Sequence, residues 1–230
     1  MDTPLFRLQP LEPDRIREGV AELDEKTGWY QNIHLGYGIQ TKTRQLFGEE
    51  IDHPRQRWES IEPGFPASFV GKSVLDTGCN AGFFGFVAAQ RGAARLVGID
   101  GSPKYVEQAK FCAQAIGLDA EYHVAAVNDI AKFGQFDITL CIGLLYHVRD
   151  ILGAIEAIAK VTKEMAIVES AIHREHEDLP ICFTPPKGHR LPGSWHPTMT
   201  WLRVAFERYG FTRFEDVFVR GGRGGLLAFK

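Results

Sequence analysis

Val74–Gly85 reads VLDTGCNAGFFG: an apolar run, an aspartate, then glycines at Gly78, Gly82 and Gly85. That order describes a buried strand, a tight turn and the first turn of a helix. Glycine suits such a turn because the backbone there takes positive φ or approaches a ligand closely. The dinucleotide fingerprint G-x-G-x-x-G is not met, since Asn80 stands where its middle glycine would admit a pyrophosphate. Asp76, just before the turn, would also repel a diphosphate. The loop therefore suits a ligand with a positive end.

Further polar groups fall at the ends of the apolar runs that follow. Asp100, twenty-four positions after Asp76, closes the second run and precedes Gly101 and Ser102. A carboxylate there can accept both hydroxyls of a ribose. Asn128, Asp129 and Ile130 follow the third run, within reach of an adenine amino group. A ribose, an adenine and a cationic end together describe S-adenosylmethionine. Cys141 and Gly143, at the end of the fourth run, and Trp29 and Tyr30, upstream, complete the candidate cofactor set. For Cys79 and Cys141, plain burial of a small apolar side chain is the blander reading.

A sulfonium methyl is already activated, so chemistry with it is mostly placement in a dry site. Aromatic faces tolerate a sulfonium well, and Trp29, Tyr30, Phe83, Phe84 and Tyr146 could box it or could simply pack. An oxygen or nitrogen nucleophile often has to lose a proton. His147, beside Tyr146, is placed for that work or else braces its own loop. Glu169 ends the fifth strand and could pair with an amine or with His173. The run HREHED, from His173, is read as a solvated loop over a metal site, and no metal is assigned. Arg190, Trp195 and His196 lie in a proline-rich insertion suited to shaping an acceptor pocket, or to a rigid surface loop.

These residues need a frame, and the patterning supplies one. From residue 72 the chain alternates: KSVLDTG, ARLVGID, AEYHVAAV, FDITLCIGLL and EMAIVESAI read as strands, with helical stretches between most of them. Ser102 as N-cap and Pro103 at the first helical position open SPKYVEQAKFCAQAIG, and Gly117 stops it. Strands alternating with helices imply a doubly wound, mostly parallel α/β sheet covered on both faces. TMTWLRVAFERYG is a further helix, and FTRFEDVFV and GLLAFK form an antiparallel hairpin about RGGRGG. Residues 1–70 differ in texture. PDRIREGVAELDEK is an amphipathic helix with Ile16, Val20 and Leu23 on one face, and the aromatic, glycine-rich stretch after it reads as a cap or lid. The expected division is a cap over 1–70 and a ligand-binding domain over 71–230.

Composition narrows the classes. With 230 residues, 44% hydrophobic, 24% charged and a net charge of −3, the chain is an ordinary globular one without a global pull toward nucleic acid or anionic membrane. No apolar run approaches a membrane span, and MDTPLFRLQP lacks a signal peptide's apolar core, so no membrane partner and a cytoplasmic location are expected. Four scattered cysteines without a C-x-x-C pair argue against zinc or a redox dithiol. Oligomeric state is not legible.

VLDTGCNAGFFG, VGIDGS, VNDI and FDITLCIGLLYH resemble, in order, the motifs of class I S-adenosylmethionine-dependent methyltransferases. The resemblance implies a seven-stranded Rossmann-like sheet whose last strand runs antiparallel between the fifth and sixth. LFGEEID, RW, LVGID, GLLYH and the proline before TMTWLRVAFERYGF are similar to the wobble-uridine tRNA carboxymethyltransferase family. WYQNIHLGYGIQT is similar to the start of that family's shorter methyltransferase relatives. The family reads the carboxylate of carboxy-S-adenosylmethionine with a lysine where this chain has Thr41, Lys42 being one step away. It has a tryptophan where this chain has Arg55, whereas a later lysine is matched by Arg57 and a tyrosine by Tyr146. With two of the family's four carboxylate readers changed, plain methyl transfer to a small-molecule oxygen, nitrogen or sulfur acceptor is expected. A tRNA-modifying enzyme, with Lys42, Arg44, Arg55 and Arg57 toward RNA, and a non-catalytic cofactor-binding module are the rival readings.

Overall fold

The structure is a computed structural model and describes residues 5–41, 45–46, 49–50, 52–184 and 195–230. In chain order the main elements are helix α1 (Pro13–Thr27), α2 (Arg55–Ile61), strand β1 (Ser73–Thr77), α3 (Phe83–Gln90), β2 (Arg95–Asp100), α4 (Pro103–Ala115) and β3 (Glu121–Val124). There follow β4 (Phe136–Ile142), α5 (Ile151–Val161), β5 (Thr162–Ala171), α6 (Met199–Arg208), β6 (Arg213–Arg220) and β7 (Arg223–Phe229). Seven strands make one sheet in the order β6-β7-β5-β4-β1-β2-β3. Strand β7 is antiparallel to both β5 and β6. The mostly parallel sheet with its terminal antiparallel hairpin is the expected architecture.

The chain divides into two compact units. The first holds residues 1–59 and 66–125. Here β1 and β2 are apolar on both faces, with Val74, Leu75 and Val97 fully buried, as parallel strands covered by helices must be. Pro13 opens α1, and Ile16, Val20 and Leu23 are its buried stripe, each worth about 1.5–3 kcal/mol of apolar burial. The helix is pinned to α4 through Lys26 on Glu107 (2.7 Å) and through Gln108, whose Nε2 donates to Thr27 Oγ1 and the Gly28 carbonyl. After it, residues 28–41 run without regular structure apart from the bridge of His34 to Gln40.

The second unit holds residues 60–65 and 126–230. Asp150 caps α5 by accepting the Gly153 N–H, and Thr198 caps α6 by accepting that of Trp201. Leu202, Ala205 and Phe206 of α6 and Leu226 and Ala228 of β7 are all in the core.

The glycine-rich RGGRGG departs from the sequence reading. Only Gly221 and Gly222 turn, while Arg223, Gly224 and Gly225 are already strand. A side chain at Gly224 would collide with Met199 and one at Gly225 with Phe218 and Ile61, so these two glycines serve close packing. The third strand is also shorter than AEYHVAAV suggests, because Val127–Phe133 winds into 3₁₀ turns. Conversely, β5 begins at Thr162, directly off α5.

Candidate functional site

In the first unit the loop after β1 is stitched to β2. The N–H groups of Gly78 and Cys79 both donate to the Ile99 carbonyl, at 2.8 and 2.9 Å. Asn80 sits in the left-handed region with φ 50°, which asparagine tolerates, and its own Oδ1 takes the Ala81 N–H. Its backbone N–H donates to Asp100 Oδ2 at 3.0 Å, while Ser102 N–H donates to Asp100 Oδ1 at 2.8 Å. Both oxygens of Asp100 are thereby fixed and keep lone pairs for a ligand. Burial pushes its carboxyl up, against the lowering effect of those two N–H groups. Gly101 leaves open space where a side chain would stand. Ser102 does occupy the N-cap of α4, but its hydroxyl caps nothing; the backbone N–H makes its contact.

Asp76, one residue before the end of β1, is hidden. It is 2% exposed, and its Oδ2 accepts the Gly85 N–H at 3.1 Å. Burial pushes its carboxyl up to about 7, opposed by that N–H and reinforced by the charge of Asp100. Gly82, the N-cap of α3, has φ 100°, and a side chain there would meet the Phe86 ring. Two carboxylates of different depth and the open space at Gly101 could hold a ligand with vicinal hydroxyls and a cationic end.

The upstream aromatics are placed in the same unit. Trp29 is buried, donates through Nε1 to the Val20 carbonyl at 3.0 Å, and lies 6.4 Å from the Phe111 ring. Tyr30 stacks on His53 at 5.0 Å. Phe84 is core. Arg55 forms an exposed ion pair with Asp52 at 3.5 Å. Lys42, Arg44 and Arg190 lie outside the described residues.

In the second unit, Tyr146 and Glu169 come together through a residue that sequence reading passed over. Arg223 donates through Nε and Nη2 to the two carboxylate oxygens of Glu169, the second contact at 2.9 Å. Nη2 also reaches Tyr146 Oη at 3.2 Å, and the guanidinium lies over the Tyr146 ring at 4.8 Å. Glu169 is fully buried. Burial pulls the guanidinium down, but hydrogen bonding and charge from Glu169 outweigh it and hold Arg223 above its ordinary value. The carboxylate that could have met His173 thus takes Arg223, while His173 stacks on Phe183 at 5.3 Å. The signal for Arg223 lies in the register: Arg223 opposes Ala171 and Gly225 opposes Glu169, so the pair are diagonal neighbours on one face.

His147 is exposed on a 3₁₀ turn, its ring 4.1 Å from that of Tyr146. Gly143 N–H donates to the Glu169 carbonyl at 2.9 Å, and Cys141 and Ile130 are fully buried. Asn128 and Asp129 are exposed. Trp195 donates through Nε1 to the Arg149 carbonyl at 3.2 Å, and His196 is buried in a short bridge to Phe183. Among the described residues no helix is long and apolar enough to cross a membrane.

Comparison with known proteins gives a consistent picture. A family model described as a methyltransferase domain matches residues 68–196. The tRNA U34 carboxymethyltransferase of Aliarcobacter butzleri (strain RM4018) is 31% identical over 180 residues, which cover 74% of this chain and 58% of that protein. The enzyme of the same description from Campylobacter jejuni subsp. jejuni serotype O:6 is 30% identical over 148 residues, or 63% of this chain and 50% of that one. The chain spans little more than half the length of these curated relatives. Among solved structures, the N-terminal domain of EvdMO1, crystallised in the presence of SAH and D-fucose, is similar with a TM-score of 0.69 at 21% identity. That alignment covers 96% of this chain and 97% of the other. Magnesium protoporphyrin IX methyltransferase (ChlM) from Synechocystis PCC 6803, with bound SAM, gives 0.54 at 21% identity over 75% and 74% of the two chains. At such identities the likeness is one of fold.

Proposed function

Because this chain belongs to the methyltransferase-domain family, we propose that it transfers a methyl group from S-adenosylmethionine to an oxygen, nitrogen or sulfur atom of a small-molecule acceptor. The observation that carries the cofactor is the acidic pair around the glycine turn. Asp100, its oxygens oriented by Asn80 and Ser102, would accept the ribose hydroxyls, and Asp76 would face the cationic end. When bound, the cofactor supplies a methyl group already activated on sulfur, which leaves the chain to align an acceptor, exclude water and remove a proton. His147, exposed against Tyr146, is the group we assign to proton removal. Residues 1–70 act in this reading as a cap on the domain over 71–230.

Thr41 favours a plain methyl group. At the position where the resembling family reads a carboxylate with lysine, Thr41 is 1% exposed, and its hydroxyl donates to the Gln31 carbonyl at 2.6 Å. A second reading, carboxymethyl transfer to a tRNA wobble uridine, is favoured by the relatives and by Arg223 lying over Tyr146. Against it, the guanidinium already holds a buried carboxylate, which leaves the pair neutral.

Calorimetry tests the reading. S-adenosylhomocysteine should bind, and Asp100→Ala should weaken it by about 1–3 kcal/mol, the scale of a charged hydrogen bond. NADH binding in its place would overturn the cofactor assignment. Competition should show no preference for the carboxylated cofactor, and a salt-sensitive gel shift with bulk tRNA would move the acceptor to the second reading. His147→Ala should lower turnover about 10²–10⁴-fold with cofactor affinity unchanged; full activity removes it from the mechanism.

A further inference from the structure

Helix α3 begins without a cap of its own. Its N-cap is Gly82, which has no side chain to accept the first-turn N–H groups. Two distant residues accept in its place: Asp76 takes the N–H of Gly85, and Gln31 Oε1 takes that of Phe83 at 3.3 Å, from fifty-two positions upstream. Gln31 is 5% exposed and belongs to the irregular stretch after α1. Thr41 braces it. The Thr41 hydroxyl donates to the Gln31 carbonyl at 2.6 Å and accepts the Ile33 N–H at 2.8 Å, while Thr41 N–H donates to the Ile33 carbonyl at 3.0 Å. Residues 31–41 thus close on themselves through one threonine and present one carboxamide to the start of α3.

We propose that Gln31 is a positioning residue for the cofactor, holding the glycine turn in its binding geometry, with Thr41 as the brace that aims it. This rests on the cofactor reading above. The turn between Asp76 and Phe83 supplies Asn80 N–H to Asp100 and carries Asp76 at its base, so any relaxation at Phe83 is felt by both carboxylates. A bond of 3.3 Å adds little to the stability of the fold, so its loss should register in ligand affinity more than in melting.

The test compares Gln31→Met, which keeps bulk and loses the acceptor, with Gln31→Glu, which keeps an acceptor, and Thr41→Val with Thr41→Ser. Calorimetry with S-adenosylhomocysteine should show Gln31→Met and Thr41→Val each weakened about 3- to 10-fold, the worth of one ordinary hydrogen bond. Gln31→Glu and Thr41→Ser should stay within about 2-fold of the parent. The double variant should be no weaker than either single one, because both break one relay. In turnover the loss should fall on KM with kcat held, and amide exchange at Phe83 should quicken in Gln31→Met without ligand. Unchanged affinity in a folded Gln31→Met, or loss that tracks a falling Tm in all four variants, overturns the proposal. If Gln31→Met does not fold, an unweakened Thr41→Val overturns it instead. A parent protein that fails to bind S-adenosylhomocysteine sinks the cofactor reading, and the Phe83 exchange rate still judges the relay.

Discussion

Each unit of this protein hides a carboxylate at the end of a central strand, and the two are treated oppositely. Glu169 on β5 is fully buried and meets Arg223, so its charge is answered within the chain. Asp76 on β1 is 2% exposed and has only a backbone N–H, and among the described residues no basic side chain lies within ion-pair distance of it. One site is complete. The other has no basic partner among the described residues, and burial, with the charge of Asp100, pushes its carboxyl up to about 7. A ligand bearing an ammonium or sulfonium would supply a counter-ion for Asp76, which is why the proposed cofactor site is the acidic turn and not the ion pair.

The comparison can be broken most forcefully at Arg223. Arg223→Met puts Glu169 in the position of Asp76, a buried carboxylate without a counter-ion, and should cost about 3–5 kcal/mol of stability in urea at neutral pH. Glu169→Gln in the same background should recover most of it. A loss that Glu169→Gln does not recover would mean that packing of the long side chain, not charge, is what Arg223 contributes.

Asp76→Asn sharpens the other half. The amide keeps an acceptor for Gly85 and removes the ionisable group. Asp76 holds its proton more tightly when folded, up to about 7 against an ordinary 3.8, so the folded state loses stability as pH rises between those values and no further above them. The variant should therefore match the parent near pH 4 and exceed it at pH 8, by roughly 4 kcal/mol at the most. Cofactor binding should move the opposite way. Affinity of the parent for S-adenosylhomocysteine should rise with pH through about 7 as Asp76 ionises, while the variant binds weakly at every pH. Equal stability of the two proteins at pH 8 would sink the idea that Asp76 waits for a cation.

The same contrast explains what was legible beforehand. The Asp76 turn was readable because its parts are close in sequence and each obeys a local rule: an apolar run closed by a carboxylate, then glycines where the backbone must turn. The alternating strands were readable for the same reason, down to Ser102 and Pro103 at a helix start. Arg223 was not. It stands 54 positions from Glu169 and 77 from Tyr146, and RGGRGG looks like turn until the register of β7 on β5 is known. Gln31 was equally hidden, since nothing near residue 31 announces that the helix at Phe83 lacks a cap.

The smallest effect tests the packing beneath the Asp76 turn. Tyr122 on β3 is 3% exposed, its ring lies against Gly98 and edge-on to Phe86 at 6.3 Å, and its hydroxyl has no hydrogen-bond partner. Burial and the nearby Cys79 and Asp76 push that hydroxyl's pKa well up, so it stays a neutral, unsatisfied donor. Leaving such a group buried costs about 1–3 kcal/mol, whereas the ring itself packs well. Tyr122→Phe should therefore keep the ring contacts and gain up to about 1 kcal/mol, a rise in Tm of roughly 2–4 °C for a chain of this size. Because the ring keeps its contacts with Gly98 and Phe86, affinity for S-adenosylhomocysteine should be unmoved. Destabilisation by 1 kcal/mol or more would reveal a buried water on the hydroxyl, and would make the floor of the Asp76 site polar where it is now read as apolar.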